Sequence, residues 1–215
     1  MFKKRILLSK LNFIKKRMSS VRDIAAKFDS VLKFEKNEPV KQSTMVDVLA
    51  SSHWKTSKSF LEIESKETQI KYYKKMGASQ EVLDLVELES KPFGSIVEKI
   101  ICEVFGLGAR TSTQNDCTFN GKKIEIKGAR YWAGKDNCKW QHLEADHDYE
   151  YVLFVLLDFH GFKVWCINKS TLMGTLRDKH IVTYQGKQGW WVDKAKIIDY
   201  LFEIKNIDDL KEAIN

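Results

Sequence analysis

The sequence predicts a mixed α/β core preceded by a helical region, and three observations carry that prediction. The first 38 residues contain neither Pro nor Gly and repeat their apolar side chains at helical spacing. Two short segments on either side of Asn120-Gly121 carry the signature of a β-hairpin with a type I′ turn. Tyr151 to Leu157 is an unbroken apolar run, as in a strand buried on both faces. The break between the two regions falls at Lys91-Pro92-Phe93-Gly94. This divides the chain into a helical region, 1–90, and an α/β core, 91–215.

Each element follows from local pattern. Leu7, Leu11, Ile14, Met18, Val21, Ala25, Phe28 and Leu32 alternate spacings of four and three, the a/d seam of a heptad helix that ends before Pro39. Such a seam packs on a partner helix, either from the same chain or from a second copy. Ser43 can cap a short helix to Ser51, and Ser65 one from Lys66 to Met76 that stops at Gly77. Ser79 can cap a third through Val82, Leu83, Leu85, Val86 and Leu88. Ser95 to Phe105 reads as a helix with Ile96, Val97, Ile100, Ile101 and Val104 on its apolar side. A strand from Thr113 to Phe119 leads through the Asn-Gly turn into Lys122 to Lys127. There Ile124 and Ile126 face one way, and Lys123, Glu125 and Lys127 the other. The apolar strand turns at Asp158-Phe-His-Gly161 into Phe162 to Ile167. Helices follow near Ser170 to Arg177, Lys194 to Leu201 and Ile207 to Ile214, the last capped by Asn206.

Composition narrows the function. The 215 residues hold 36 Lys+Arg against 29 Asp+Glu, a net charge of +7. The excess sits in the first 90 residues, and residues 1–22 carry eight basic side chains and no acid. A polyanion partner, nucleic acid above all, is the functional reading of that bias. A solvated basic face and an organellar presequence are the alternatives. No apolar run is long enough to span a membrane, so no membrane association is expected. The four cysteines stand singly with no C-x-x-C pair, which speaks against a zinc ribbon or disulfide framework. They read as reduced thiols in an intracellular protein, cytoplasmic if the source is prokaryotic. No G-x-x-x-x-G-K-[ST] and no G-x-S-x-G occurs, which excludes a P-loop and a nucleophile elbow.

The chemistry-bearing stretch is Asn115-Asp116 followed by Glu125-Ile126-Lys127. Glu125 and Lys127 are two apart on one strand and share a face, and the hairpin can bring Asp116 across to them. Two carboxylates and an ammonium converging at one point are costly unless a further charge compensates. A hard divalent cation does so. Mg²⁺ takes a few carboxylate oxygens, keeps several waters and bridges to phosphate. The backbone carbonyl of Ile126 can supply another oxygen. Lys127 can orient the attacking water or stabilise the phosphorane.

These residues resemble the PD-(D/E)xK nuclease superfamily, which includes type II restriction endonucleases, junction resolvases and repair nucleases. The match is to Asp116, Glu125 and Lys127, with Asn115 where the motif has Pro. Phe93-Gly-Ser-Ile-Val-Glu98 opens a helix before the hairpin, where members of the superfamily often carry a metal-binding glutamate. Trp140-Gln141-His142-Leu143 follows the motif, where a polar residue, often Gln, is a recurrent extra active-site group. The resemblance spans roughly Phe93 to Ile167. It implies a restriction-endonuclease-like mixed sheet flanked by helices. It also implies a Mg²⁺-dependent endonuclease acting on double-stranded DNA, with Asp116, Glu125, Lys127, Glu98 and Gln141 in the catalytic site. Asp116, Glu125, Glu98 and the Ile126 carbonyl would hold the metal. Cutting both strands takes two sites, most simply in a homodimer.

Basic and aromatic residues after the motif are candidate DNA contacts: Arg130, Lys135 and Lys139 near Trp132 and Trp140, and Gln185, Lys187 and Gln188 in a Gly-flanked turn. A surface loop with core tryptophans is the plain alternative for each. Three other functions fit the same residues: a structure-specific resolvase or repair nuclease, a non-catalytic DNA-binding protein, and a coiled-coil interaction protein. His142 and His147 flank Asp146, yet a zinc site there lacks a thiol partner and an H-E-x-x-H motif.

Overall fold

The structure, a computed structural model, describes residues 60–214. The heptad helix, the Ser43 helix and the basic N-terminal segment lie outside these residues. Three helices come first: α1 (Phe60–Lys75), α2 (Gln80–Glu87) and α3 (Ser90–Val104). Two of the expected terminators are in place, but Ser65, expected to cap a helix from Lys66, lies inside α1. Gly77 ends α1 in the left-handed region at φ +81°, and the Ser79 hydroxyl accepts from the Val82 N–H at the start of α2.

The expected break at Lys91-Pro92-Phe93-Gly94 is instead the first turn of α3. Proline is tolerated there because the first-turn N–H groups have no partner within the helix. Nor does residue 90 divide the described fold. Tyr73, Val82, Leu83, Leu85 and Val86 share one buried core with the strands that follow. The Tyr73 hydroxyl donates to the Leu157 carbonyl at 2.5 Å and accepts from the Tyr131 N–H at 2.9 Å, fastening α1 to two strand ends.

The main sheet contains β1 (Gly108–Ala109), β2 (Cys117–Phe119), β3 (Lys122–Arg130), β5 (Tyr151–Leu157), β6 (Phe162–Asn168) and β9 (Phe202–Ile204), in the order β1-β2-β3-β5-β6-β9. It is mixed: β3 and β5 run parallel and every other neighbouring pair is antiparallel. All seven residues of β5 are buried, as its apolar run requires. The β2–β3 turn has Asn120 at φ +50° and Gly121 at φ +75°, the two left-handed residues of a type I′ turn.

Alternation along β3 divides its side chains between two environments. Ile124, Ile126 and Gly128 belong to the side covered by α3, where a Cβ on Gly128 would lie 3.1 Å from the Val97 side chain. Glu125 and Lys127 point the other way, beside Val152 and Phe154 of β5.

On that second side lies a small antiparallel sheet that the sequence did not announce. It comprises β4 (Lys139–Leu143), β7 (Val182–Tyr184) and β8 (Trp190–Asp193), in the order β4-β8-β7. Trp140 fastens it to the main sheet. Its indole N–H donates to the Val155 carbonyl at 3.0 Å, and its ring lies 4.6 Å from that of Phe154.

The segment expected as a helix near Ser170 is a π-helical turn, Thr171–Leu176. The one expected from Lys194 to Leu201 is α4 (Lys194–Ile197) with a 3₁₀ turn to Tyr200. The last helix, α5 (Ile207–Ala213), has the full capping box between Asn206 and Asp209. Among the described residues, no helix is long and apolar enough to cross a membrane.

Candidate active site

The site forms where β2 parts from β3. Their paired register ends at Cys117 opposite Ile124. One residue earlier, Asp116 turns its carboxylate to the strand: Oδ2 accepts from the Ile126 N–H at 2.7 Å, and the Asp116 N–H donates to the Ile124 carbonyl at 2.9 Å. A side chain thus replaces a backbone partner. In a strand the N–H and C=O of one residue point to the same edge, so the Ile126 carbonyl is also turned towards Asp116. Asn115 holds the approach. It is buried, accepts from the Thr111 and Ser112 hydroxyls, and donates to the Cys117 carbonyl.

Glu125 is 5% exposed, and its Oε1 lies 2.5 Å from the Lys127 ammonium. The two are neighbours on one strand face, so the pair forms without any change of strand geometry. Burial pushes the Glu125 carboxyl above its ordinary range; Lys127 opposes that shift and Asp116 adds to it. Asp116 is raised for the same first reason, against the Ile126 N–H, Lys127, Arg110 and His147. Glu98, half-buried on α3, is pushed up to about 7, first by burial and then by the Asp116 charge, with Lys127 opposing and Glu125 contributing. The mutual influence of Glu98, Asp116, Glu125 and Lys127 places these four predicted residues in one electrostatic cluster.

The donor set suits a hard cation of the Mg²⁺ type. Such an ion uses one or two carboxylates and fills its octahedron with water and phosphate oxygens. Asp116, Glu125 and the Ile126 carbonyl offer oxygens of that kind where β2 parts from β3. Among the described residues, no three His, Cys, Asp or Glu side chains are grouped so as to hold a metal ion by themselves, Glu98, Asp116 and Glu125 included.

Gln141 lies on β4, between Trp140 and the left-handed His142 at φ +58°. It is half-buried, and its side chain makes no hydrogen bond to another described residue, so nothing ties it to the carboxylates.

Arg130 requires a correction. Its guanidinium donates from Nη1 to the carbonyls of Val86 at 2.9 Å and Leu88 at 2.6 Å, with Leu85 at 3.3 Å, and lies 4.2 Å above the Phe93 ring. Burial brings it down to about 10. Arg130 serves the open C-terminus of α2 and is not presented to a ligand. Its position carried the clue. Alternation continued from Ile124 and Ile126 puts residue 130 on the side facing the helices.

The remaining candidates stay at the surface. Lys135, Gln185, Lys187 and Gln188 are exposed, and Lys139 is half-buried on β4. Three residues near the carboxylates carried no motif. Arg110 and His147 act on them from flanking loops. Tyr149 is buried, and its hydroxyl has no hydrogen-bond partner among the described residues; burial and the Glu125 charge raise it. Proximity came from the fold, so spacing held no signal for them. No protein-family model matches the chain, and no curated protein matches it.

Proposed function

We propose that the protein is a Mg²⁺-dependent endonuclease that hydrolyses the phosphodiester backbone of double-stranded DNA, in the manner of a PD-(D/E)xK enzyme of type II restriction-endonuclease character. The observation that carries this reading is the placement of Asp116, the Ile126 carbonyl edge and the Glu125–Lys127 pair around the point where β2 leaves β3. A mixed sheet with a parallel β3–β5 pair, covered by α3 on one side, agrees with the architecture such enzymes have.

Asp116 and Glu125 would hold the cation, with the Ile126 carbonyl and Glu98 as further oxygen donors. The bound ion would lower the pKa of a coordinated water and neutralise charge on the scissile phosphate. Lys127 keeps an ammonium within reach of Glu125, and its three N–H donors can turn to the attacking water or to a phosphate oxygen. The Asp116–Ile126 hydrogen bond fixes one carboxylate against the strand, which sets the spacing between the two ligands. Burial of Glu125 keeps the site poorly hydrated and strengthens each of these interactions. Hydrolysis by this route leaves 5′-phosphate and 3′-hydroxyl ends. A homodimer would bring two such sites to one duplex.

The test is incubation of the purified chain with plasmid and linear DNA, in Mg²⁺ and in EDTA, beside Lys127→Ala. Discrete fragments are expected in Mg²⁺ alone. Lys127→Ala should cut at least roughly a hundredfold more slowly, the scale of losing one transition-state donor. Intact DNA across methylated, unmethylated and junction substrates would reduce the protein to a DNA-binding role.

A further inference from the structure

The small sheet has an outer face that the core does not use. Trp140, Val182 and Val192 point inward and are buried. By alternation, Lys139, Thr183, Trp191 and Asp193 point outward. There the Lys139 ammonium sits between two indoles, 5.5 Å from the Trp132 ring centre and 5.6 Å from that of Trp191, with Asp193 at 3.8 Å. Both tryptophans are half-buried.

The β7–β8 turn borders this face. Gln185, Lys187 and Gln188 are exposed on it, and the Trp191 indole N–H donates to the Gln188 carbonyl at 3.2 Å. Lys135 lies exposed in the loop before β4, close in sequence to Trp132. Neither Lys135 nor Lys187 has an ion-pair partner among the described residues.

Two indoles flanking an ammonium, with unpaired lysines at the margins, match one kind of ligand. Indole faces bind other flat π-systems by stacking, and the lysines call for an anion repeated along a chain. An unpaired nucleic-acid strand offers both. A fully paired duplex offers its phosphates, but each base has both π-faces covered by its neighbours, so the indoles would contribute nothing. An acidic peptide would answer the lysines and leave the tryptophans idle.

We infer that the outer face of the small sheet, through Trp132, Lys139 and Trp191 with Lys135 and Lys187, holds unpaired nucleotides of the DNA on which the neighbouring site acts. This rests on the nuclease reading and specifies its substrate: a duplex engaged at an unpaired or unstacked stretch. The face is one layer from the chemistry. Lys139 precedes Trp140, whose ring packs on Phe154, and Phe154 lies directly beside Lys127 in the parallel register.

Fluorescence anisotropy of the full chain in EDTA tests this. The probes are a labelled paired duplex, the same duplex with a central bubble of mismatches, and the single strand. The bubble and the single strand should bind more tightly than the paired duplex. Trp191→Ala should cost about tenfold on those two and leave the paired duplex unchanged. Trp191→Phe, which keeps a stacking ring in the fold, should recover most of the loss. Equal affinity of the native chain for all three probes overturns the inference. So does a Trp191→Ala protein that melts like the native chain and binds like it. Cleavage of plasmid by the native chain but not by Lys127→Ala is read separately. If that holds while the binding preference is missing, the nuclease reading stands and the stacking face falls.

Discussion

Glu98 makes the stability of the fold depend on pH. In the folded protein its carboxyl keeps a proton up to about pH 7, through burial and the Asp116 charge. In the unfolded chain it lets go near 4.3. Between those values the unfolded state binds fewer protons, so stability falls as pH rises through the window. Glu98 is only half-buried, so solvent screening reduces the effect to about 1 kcal/mol, or roughly 2–4 °C in Tm. Thermal melts in EDTA should therefore drop between pH 5 and pH 8, and Glu98→Gln should flatten that slope. Arg130 gives a second measure at this scale. Arg130→Ala leaves the carbonyls of Val86 and Leu88 to the Lys66 ammonium alone, which donates to them at 3.0 and 3.1 Å, and uncovers Phe93. Urea unfolding should show a loss of about 1–2 kcal/mol. Arg130 and Glu98 also mark how far single residues could be read from sequence. Asp116, Glu125 and Lys127 were legible because a hairpin register converts spacing into proximity. Arg130 was misplaced because the strand was followed only to Lys127, three residues short of its end.

Among the elements, α3 and β3 meet tightly at Gly128, where Val97 leaves 3.1 Å to a Cβ. Gly128→Ala would press α3 away from the strand. It should cost about 1–3 kcal/mol and displace Glu98 from its partners, measurable as a melt shift and a lowered cleavage rate together. Gly189 is tighter still. It holds φ +68°, and a Cβ there would stand 2.9 Å from the Leu143 carbonyl oxygen. The β7–β8 turn thus depends on this glycine to lie against the end of β4. Legibility at this scale followed chemistry. The Asn-Gly turn, the Ser79 and Asn206 caps and the apolar β5 announce themselves, because only a few residue types satisfy those geometries. The small sheet did not. Its strands are three to five residues long, and one is interrupted at His142 by a positive φ and a shift of register. That leaves too few alternations to register a period. Pro92 misled for the opposite reason: a strong breaker signal is silent in a helix's first turn.

For the molecule as a whole, the net charge of +7 makes salt the first test of the proposed DNA binding. If Lys135, Lys139 and Lys187 each neutralise one phosphate of an unpaired strand, affinity should fall about 20-fold between 50 and 200 mM salt. Each Lys→Ala change should reduce the slope of log K against log salt by about one. A titration series in EDTA checks both. Light scattering at micromolar concentration should give the mass of a dimer, since one duplex presents two strands to be cut. A monomer at every concentration would assign each strand to a separate encounter.

The division of β3 between two environments makes the length of its turn a functional quantity. Side chains along the strand alternate, so every residue's role is set by its parity counted from Asn120-Gly121. One additional residue in that turn would need no change to Asp116, Glu125 or Lys127. Yet if the strand then shifted by one place, it would carry the acid and the lysine under α3 and set two isoleucines at the site in their stead. The candidate site is thereby indexed from a two-residue loop that supplies none of its side chains. An insertion there should be as damaging as the loss of Lys127 itself.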